Sequence, residues 1–173
     1  YQKAYANGMK HPGVRDLSHP NALRLILQAG TRIGELHLEL GDEQKATERF
    51  QAAADLTGRL LARTPNDPEA LRTRWVSLER LASNHMHWKR LPQAYQVLQE
   101  AIAVVDRMDQ TMPPGAHSLR NRLVLQAMLG RHAEASGDHA AAILHHRRQL
   151  ELAEPVTKSN PSDFMAAHDL VFT

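Results

Sequence analysis

The chain has 173 residues, a formal net charge of +2, 42% hydrophobic residues and only 5% aromatic residues. That content supports a packed core, and the shortage of aromatics beside plentiful Ala and Leu favours helices over sheets. The absence of cysteine excludes a disulfide framework and thiolate metal sites, no apolar run is long enough to span a membrane, and the basic residues are scattered among acidic ones, which gives no charge argument for nucleic acid.

The chain opens in a helix. Tyr1 to Ala6 (YQKAYA) matches Phe50 to Asp55 (FQAAAD), which puts Tyr1 in the place of Phe50 on a helix ended by Asn7-Gly8. Because the first residue is Tyr rather than Met, the natural start is expected upstream. His11 to Pro20 holds two prolines and a glycine and reads as a connector. Residues 1–20 are therefore the tail of a preceding repeat helix plus a linker.

Ile33 to Ala54 is the organising stretch. Ile33, Leu36 and Leu40 fall at three- and four-residue steps, and Ala46, Phe50, Ala53 and Ala54 do the same. Gly41 can take positive φ and end the first helix, and Asp42 can cap the second. Neither helix buries its face alone, so the spacing predicts an antiparallel pair in which Gly34, Ala46 and Ala53 allow close approach and Phe50 fills the space between.

The pattern then repeats. Ala46, Ala94 and Ala142 are separated by 48 residues, as are Pro65, Pro113 and Pro161, Leu23, Leu71 and Leu119, and Arg24, Arg72 and Arg120. Four columns at one period define repeats at 21–67, 68–115 and 116–161, with 162–173 beginning a fourth. Prolines 65, 68, 113, 114 and 161 mark the breaks between repeats. Pro92 falls in the first turn of its helix, where proline is tolerated. Pro155 predicts a kink or stop near Ala153 in the last full helix. Ser162 reads as an N-cap, and the helix after it, carrying Met165, Leu170, Val171 and Phe172, should dock on the helix from Gly137 to Ala153 and leave part of its surface exposed.

Gly30-x2-Ile33-Gly34-x2-His37, followed by Ala46-x3-Phe50, resembles the tetratricopeptide pattern W-x2-L-G-x2-Y…A-x3-F. Gly30 stands where the pattern opens on an aromatic, and His37 replaces its tyrosine. The chain resembles the long-helix tetratricopeptide repeats of bacterial proteins, since a period of 48 against the usual ~34 adds about two turns to each helix. The resemblance implies an all-α fold, a right-handed α-solenoid of antiparallel helix pairs with a concave groove, and a cytoplasmic protein-interaction scaffold rather than an enzyme.

His139 and His146 share a helical face, His145 adjoins them and His132 lies on the preceding helix, a set that would suit zinc or nickel. No metal-ligand spacing such as H-E-x-x-H occurs, so the simpler reading has His146 filling the Phe50-type position and the others solvated, with no metal and no cofactor. His37 and His85 occupy the tyrosine column as packing rings. Trp75 and Trp88 are expected to pack against neighbouring helices. No nucleophile elbow, phosphate loop or dinucleotide motif is present.

Groove positions of the family fall on Gln28, Thr31 and Glu35, then Val76, Glu79 and Ser83, then Val124, Ala127 and Arg131. Four residues earlier in each repeat stand Arg24, Arg72 and Arg120, a ladder suited to partner carboxylates. The plainer expectation is that each arginine pairs with an acid on the neighbouring repeat. The partner is expected to be a protein or peptide. The alternatives are a self-assembly module dimerising through the C-terminal helix, and an effector domain of a transcription regulator with Arg72, Arg74, Arg80, Lys89, Arg90, Arg120 and Arg122 as a basic surface. Nucleic acid is disfavoured, and no membrane is implied.

Overall fold

A computed structural model describes residues 2–15, 17–112 and 116–159. The described residues form eight α-helices and no strand. They are α1 (Gln2–Met9), α2 (Pro12–Arg15), α3 (Pro20–Glu39), α4 (Glu43–Arg63), α5 (Pro68–His87), α6 (Leu91–Thr111), α7 (Ala116–Ala135) and α8 (His139–Ser159). None is long and apolar enough to cross a membrane. From α3 onward, odd helices begin at 20, 68 and 116 and even ones at 43, 91 and 139, so the 48-residue period governs helix starts as it governs sequence.

Chain punctuation explains these boundaries. Gly41 has φ +71° and Gly137 φ +79°. At the first turn the Gly41 N–H bonds Leu38 O and the Asp42 N–H bonds His37 O. At the third, the Gly137 N–H bonds Glu134 O and the Asp138 N–H bonds Ala133 O. This is the two-bond Schellman closure, which satisfies carbonyls that a helix end leaves open. Asp42 then accepts from the Lys45 N–H (3.2 Å) and Asp138 from the Ala141 N–H (2.9 Å). Asp67 caps α5 by accepting from the Ala70 N–H at 2.7 Å, with Pro68 in the first turn. The middle turn places Lys89 at φ +57° in the glycine column, and Arg90 at the N-cap makes no side-chain cap.

The chain divides into two compact units, Tyr1–Trp88 and Lys89–Thr173. In the first, α4 packs between α3 and α5, and α1 packs on α3. Phe50 is 1% exposed, and a Cβ on Gly34 would stand 2.7 Å from its ring, so the absent side chain is what admits the phenyl group. Gly30 has a similar cause: Tyr5 of α1 lies where its Cβ would be, and Arg49 covers the Tyr5 ring at 4.9 Å. The ring from α1 thus fills space next to the position where the repeat pattern would carry its own aromatic. Asn84 of α5 donates to Thr47 Oγ1 of α4 at 2.7 Å. His37 and His85 are buried, and so is Trp75. Trp88 is half-buried and meets His87 edge-on.

In the second unit, α7 packs against both α6 and α8. Arg122 of α7 bonds Asp106 (3.0 Å) and Asp109 of α6, and Ser118 also donates to Asp109. Burial alone would lower the Arg122 pKa, but the two aspartates raise it on balance. His132 donates from Nε2 to Leu91 O at 3.0 Å and lies against Tyr95 with ring centres 5.5 Å apart.

Three expectations need correction. The first helix runs past Asn7-Gly8 to Met9; Gly8 admits Ile26, whose side chain a Cβ would meet at 2.8 Å, and Tyr5 is buried in the core. The connector contains a helical turn, α2. Helix α8 does not stop near Ala153 but continues through Pro155 to Ser159. The fourth-repeat helix, with Met165, Leu170, Val171 and Phe172, lies outside the described residues, as does Tyr1.

Candidate functional site

Pro20 and Pro68 start α3 and α5 early enough to carry the arginine column inside both helices. Arg24, Gln28, Thr31 and Glu35 then recur at helical spacing on α3, and Arg72, Val76 and the adjacent Thr73 and Ser77 do so on α5. The two rows face one depression of about 330 Å³ within the first unit. Leu27 (5% exposed) and Val76 (41% exposed) supply apolar surface, while Gln28, Thr31 and Thr73 add polar groups. Arg32 and Glu69 complete the lining, giving three guanidinium groups against two carboxylates.

Neutralisation is uneven across the depression. Glu35 is held by Arg32 at 3.1 Å and by Arg80 of α5 at 3.3 Å. Arg72 lies 3.9 Å from Glu69 one turn earlier on its own helix, and both side chains are more than half exposed. Such a pair is weak in water and yields readily to a better acceptor. Arg24 is exposed and joins no ion pair among the described residues. Two cations thus flank apolar surface in a recess of a few side-chain volumes, a setting for an apolar group with a neighbouring carboxylate.

The expected site residues are therefore divided. Arg24, Gln28, Thr31, Glu35, Arg72 and Val76 come together. Glu79 and Ser83 lie farther along α5 outside the depression, both half-buried, and Glu79 comes within 3.9 Å of Arg80. In the second unit Arg120, Val124 and Ala127 are half-buried on α7, and Arg131 is exposed. The expectation that column arginines pair with acids on the neighbouring repeat fails for Arg72, whose partner is on its own helix; the pair between α5 and α3 uses Arg80 instead. Leu27, Arg32, Thr73 and Ser77 were not foreseen as lining residues. The signal was present, since they occupy the same or adjacent turns as the residues named.

The proposed basic surface is partly consumed. Arg74 donates to the Ala54 carbonyl, Arg80 pairs with Glu35 and Arg122 with two aspartates. His132, His145 and His146 are likewise individually engaged. His146 meets Glu134 (3.3 Å) and Gln149 (3.1 Å), while His145 Nδ1 lies 2.9 Å from Gln126 Oε1. His132 and His145 are half-buried rather than solvated, because neighbouring helices provide them with polar partners. Among the described residues no three His, Asp or Glu side chains converge as metal ligands. No family model, curated protein or solved structure matches the chain.

Proposed function

We propose that the protein is a binding scaffold of the tetratricopeptide type, a right-handed stack of helix pairs rather than an enzyme, which takes a peptide segment against the α3/α5 depression. The observation that carries this reading is the placement of Arg24 and Arg72 beside Leu27 and Val76 in one recess. A ligand presenting an aliphatic side chain next to a carboxylate would satisfy both kinds of surface. The helices are held by the α4 core whether or not the recess is filled, so the peptide loses freedom while the scaffold loses little.

Selection of a displayed random-peptide library on the whole chain tests the reading. Enriched sequences should place Asp, Glu or a free C-terminus beside an aliphatic residue. Replacing both Arg24 and Arg72 by Ala should weaken the best peptide roughly tenfold or more, the loss expected of charge-assisted hydrogen bonds. Failure to enrich, or equal affinity for the double variant, rejects the site.

A further inference from the structure

Arginines recur at one interval along both walls of the α3/α5 depression. Arg24 and Arg32 stand eight residues apart on α3, and Arg72 and Arg80 stand eight apart on α5. Eight residues are a little over two turns, or about 12 Å along each helix. Each end of the depression thus has one arginine from α3 and one from α5. Arg24 and Arg72 serve one end. Arg32 serves the other, joined by Arg80 through their shared contact with Glu35.

The two ends differ in what already occupies their arginines. Glu35 gives one oxygen to each helix: Oε2 accepts from Arg32 Nη1 at 3.1 Å, and Oε1 lies 3.3 Å from Arg80 Nε. Its side chain is 26% exposed, the most enclosed of the three. At the opposite end Glu69 is 65% exposed and reaches Arg72 at only 3.9 Å, while Arg24 joins no ion pair among the described residues. Glu35 and Arg80 are 45 positions apart, and the same offset takes Arg24 to Glu69 and Thr31 to Val76. The recess is therefore one ladder with an acid near each end, one held by two guanidinium groups and the other loose in water. A carboxylate engaged on both oxygens is much the harder to displace.

We propose that Glu35 acts as a built-in ligand. It occupies the Arg32/Arg80 pair as a partner carboxylate would, and so limits the depression to segments with one acidic group, seated at Arg24 and Arg72. This inference rests on the reading of the depression as a peptide site. An extended segment rises about 3.3 Å per residue and turns alternate side chains to one face, so the residue that meets Glu35 is the fourth from the seated acid. A second acid at that position faces a carboxylate whose two guanidinium partners are already engaged. Glu79, 3.9 Å from Arg80, adds a further negative charge at this end. Glu35 is thus a specificity-determining residue that works by repulsion, while the Arg24/Arg72 end attracts.

Parallel selections of a displayed peptide library on the whole chain and on its Glu35→Ala variant test the proposal, with circular dichroism to verify the variant's fold. The parent should enrich single acids whose fourth neighbour is neither Asp nor Glu. The variant should enrich pairs of acids four residues apart. Adding the second acid to the parent's best peptide should tighten binding to Glu35→Ala roughly tenfold and weaken binding to the parent. As a second measurement, sodium acetate, against chloride at equal ionic strength, should shift the Arg80 Nε–H resonance in Glu35→Ala and leave it in place in the parent. Single acids enriched by both chains, a second acid that helps the parent, or an Arg80 resonance unmoved by acetate in the variant would overturn the proposal while leaving the Arg24/Arg72 site standing. No enrichment by either chain rejects that site and this inference with it.

Discussion

The hairpins α3/α4 and α7/α8 have the same backbone plan and different interiors. Both turn on a glycine at positive φ, both cap the second helix with aspartate, and both set a glycine against a ring. A Cβ on Gly34 would approach Phe50 to 2.7 Å, and one on Gly130 would approach His146 to 2.6 Å. Yet Phe50 is 1% exposed, while the His146 side chain is 26% exposed and touches Glu134 and buried Gln149. Close helix approach fixes the need for a flat ring opposite a glycine. It does not fix the ring's polarity: the residue three positions on is Ala53 in one hairpin and, in the other, Gln149, which bonds His146.

The largest expected difference is between the two truncations. Phe50→Ala should cost about 3–5 kcal/mol, as a fully buried ring leaves a cavity. His146→Ala should cost about 1–2 kcal/mol, because its slot is partly open to water. Urea unfolding of each variant measures both; equal losses would show that the two interiors are energetically alike. Gly34→Ala should cost about 1–3 kcal/mol by forcing the Phe50 ring aside. Adding Phe50→Leu should recover part of that loss, a coupling that a double-mutant cycle reads directly. The second repeat carries Ala82 and Leu98 in those columns.

His146→Phe sharpens the comparison. From sequence alone this change restores an apolar ring and should be harmless. In the structure Gln149 is 3% exposed and bonds His146, so phenylalanine would strand a buried amide oxygen at a cost of about 1–3 kcal/mol. Combining it with Gln149→Ala should return stability toward the parent value. If the single change is neutral by thermal unfolding, water satisfies Gln149 and the hydrogen bond contributes little.

The contrast also shows what the sequence could and could not disclose. The 48-residue columns located the long helices among the described residues, because proline, glycine and capping aspartate act locally. The close approach of Gly34 to Phe50 was equally legible from size complementarity. Half of the depression could be read as well, since Arg24, Gln28, Arg72 and Val76 are tied to helix faces. Pairing was not legible. Arg72 and Arg80 lie eight residues apart on α5, and only the relative rotation of α3 and α5 decides that Arg80 meets Glu35. Gly30 was equally opaque, for its reason lies in a tyrosine 25 positions away.

The middle turn breaks the plan shared by the outer two. Lys89 holds the positive-φ position that Gly41 and Gly137 fill, and Arg90 the cap position of Asp42 and Asp138. A non-glycine residue there is strained, although glycine also gains freedom when unfolded, so Lys89→Gly should stabilise by a net ~0.5–1 kcal/mol. Arg90→Asp should add about 1 kcal/mol by capping α6. Calorimetry on the two singles and the double checks this; a loss on Lys89→Gly would mean that the lysine side chain makes a contact worth more than the strain.

The smallest effect separates the outer hairpins by pH. Burial, followed by the adjacent His146, lowers the pKa of His145 below its ordinary 6.5, and Asp138 opposes the shift. Its other neighbour across the helix pair is the neutral Gln126. The folded chain therefore prefers neutral His145. As pH falls below 6.5 the unfolded chain takes up this proton first, so stability declines and levels off below the folded-state pKa. In the first hairpin the hydrogen bonds from Lys45 hold Asp42 below the ordinary 3.8, with burial opposing and the charges of Lys45 and His37 assisting. Its contribution is complete above 3.8 and is lost only as pH falls through that value toward the lower folded pKa. Amide hydrogen exchange from pH 7 to pH 5 should therefore show α7 and α8 losing protection before α3 and α4, and His145→Gln should remove the early loss. If that substitution leaves the pH profile of α7 and α8 unchanged, another group on the second hairpin sets its acid sensitivity.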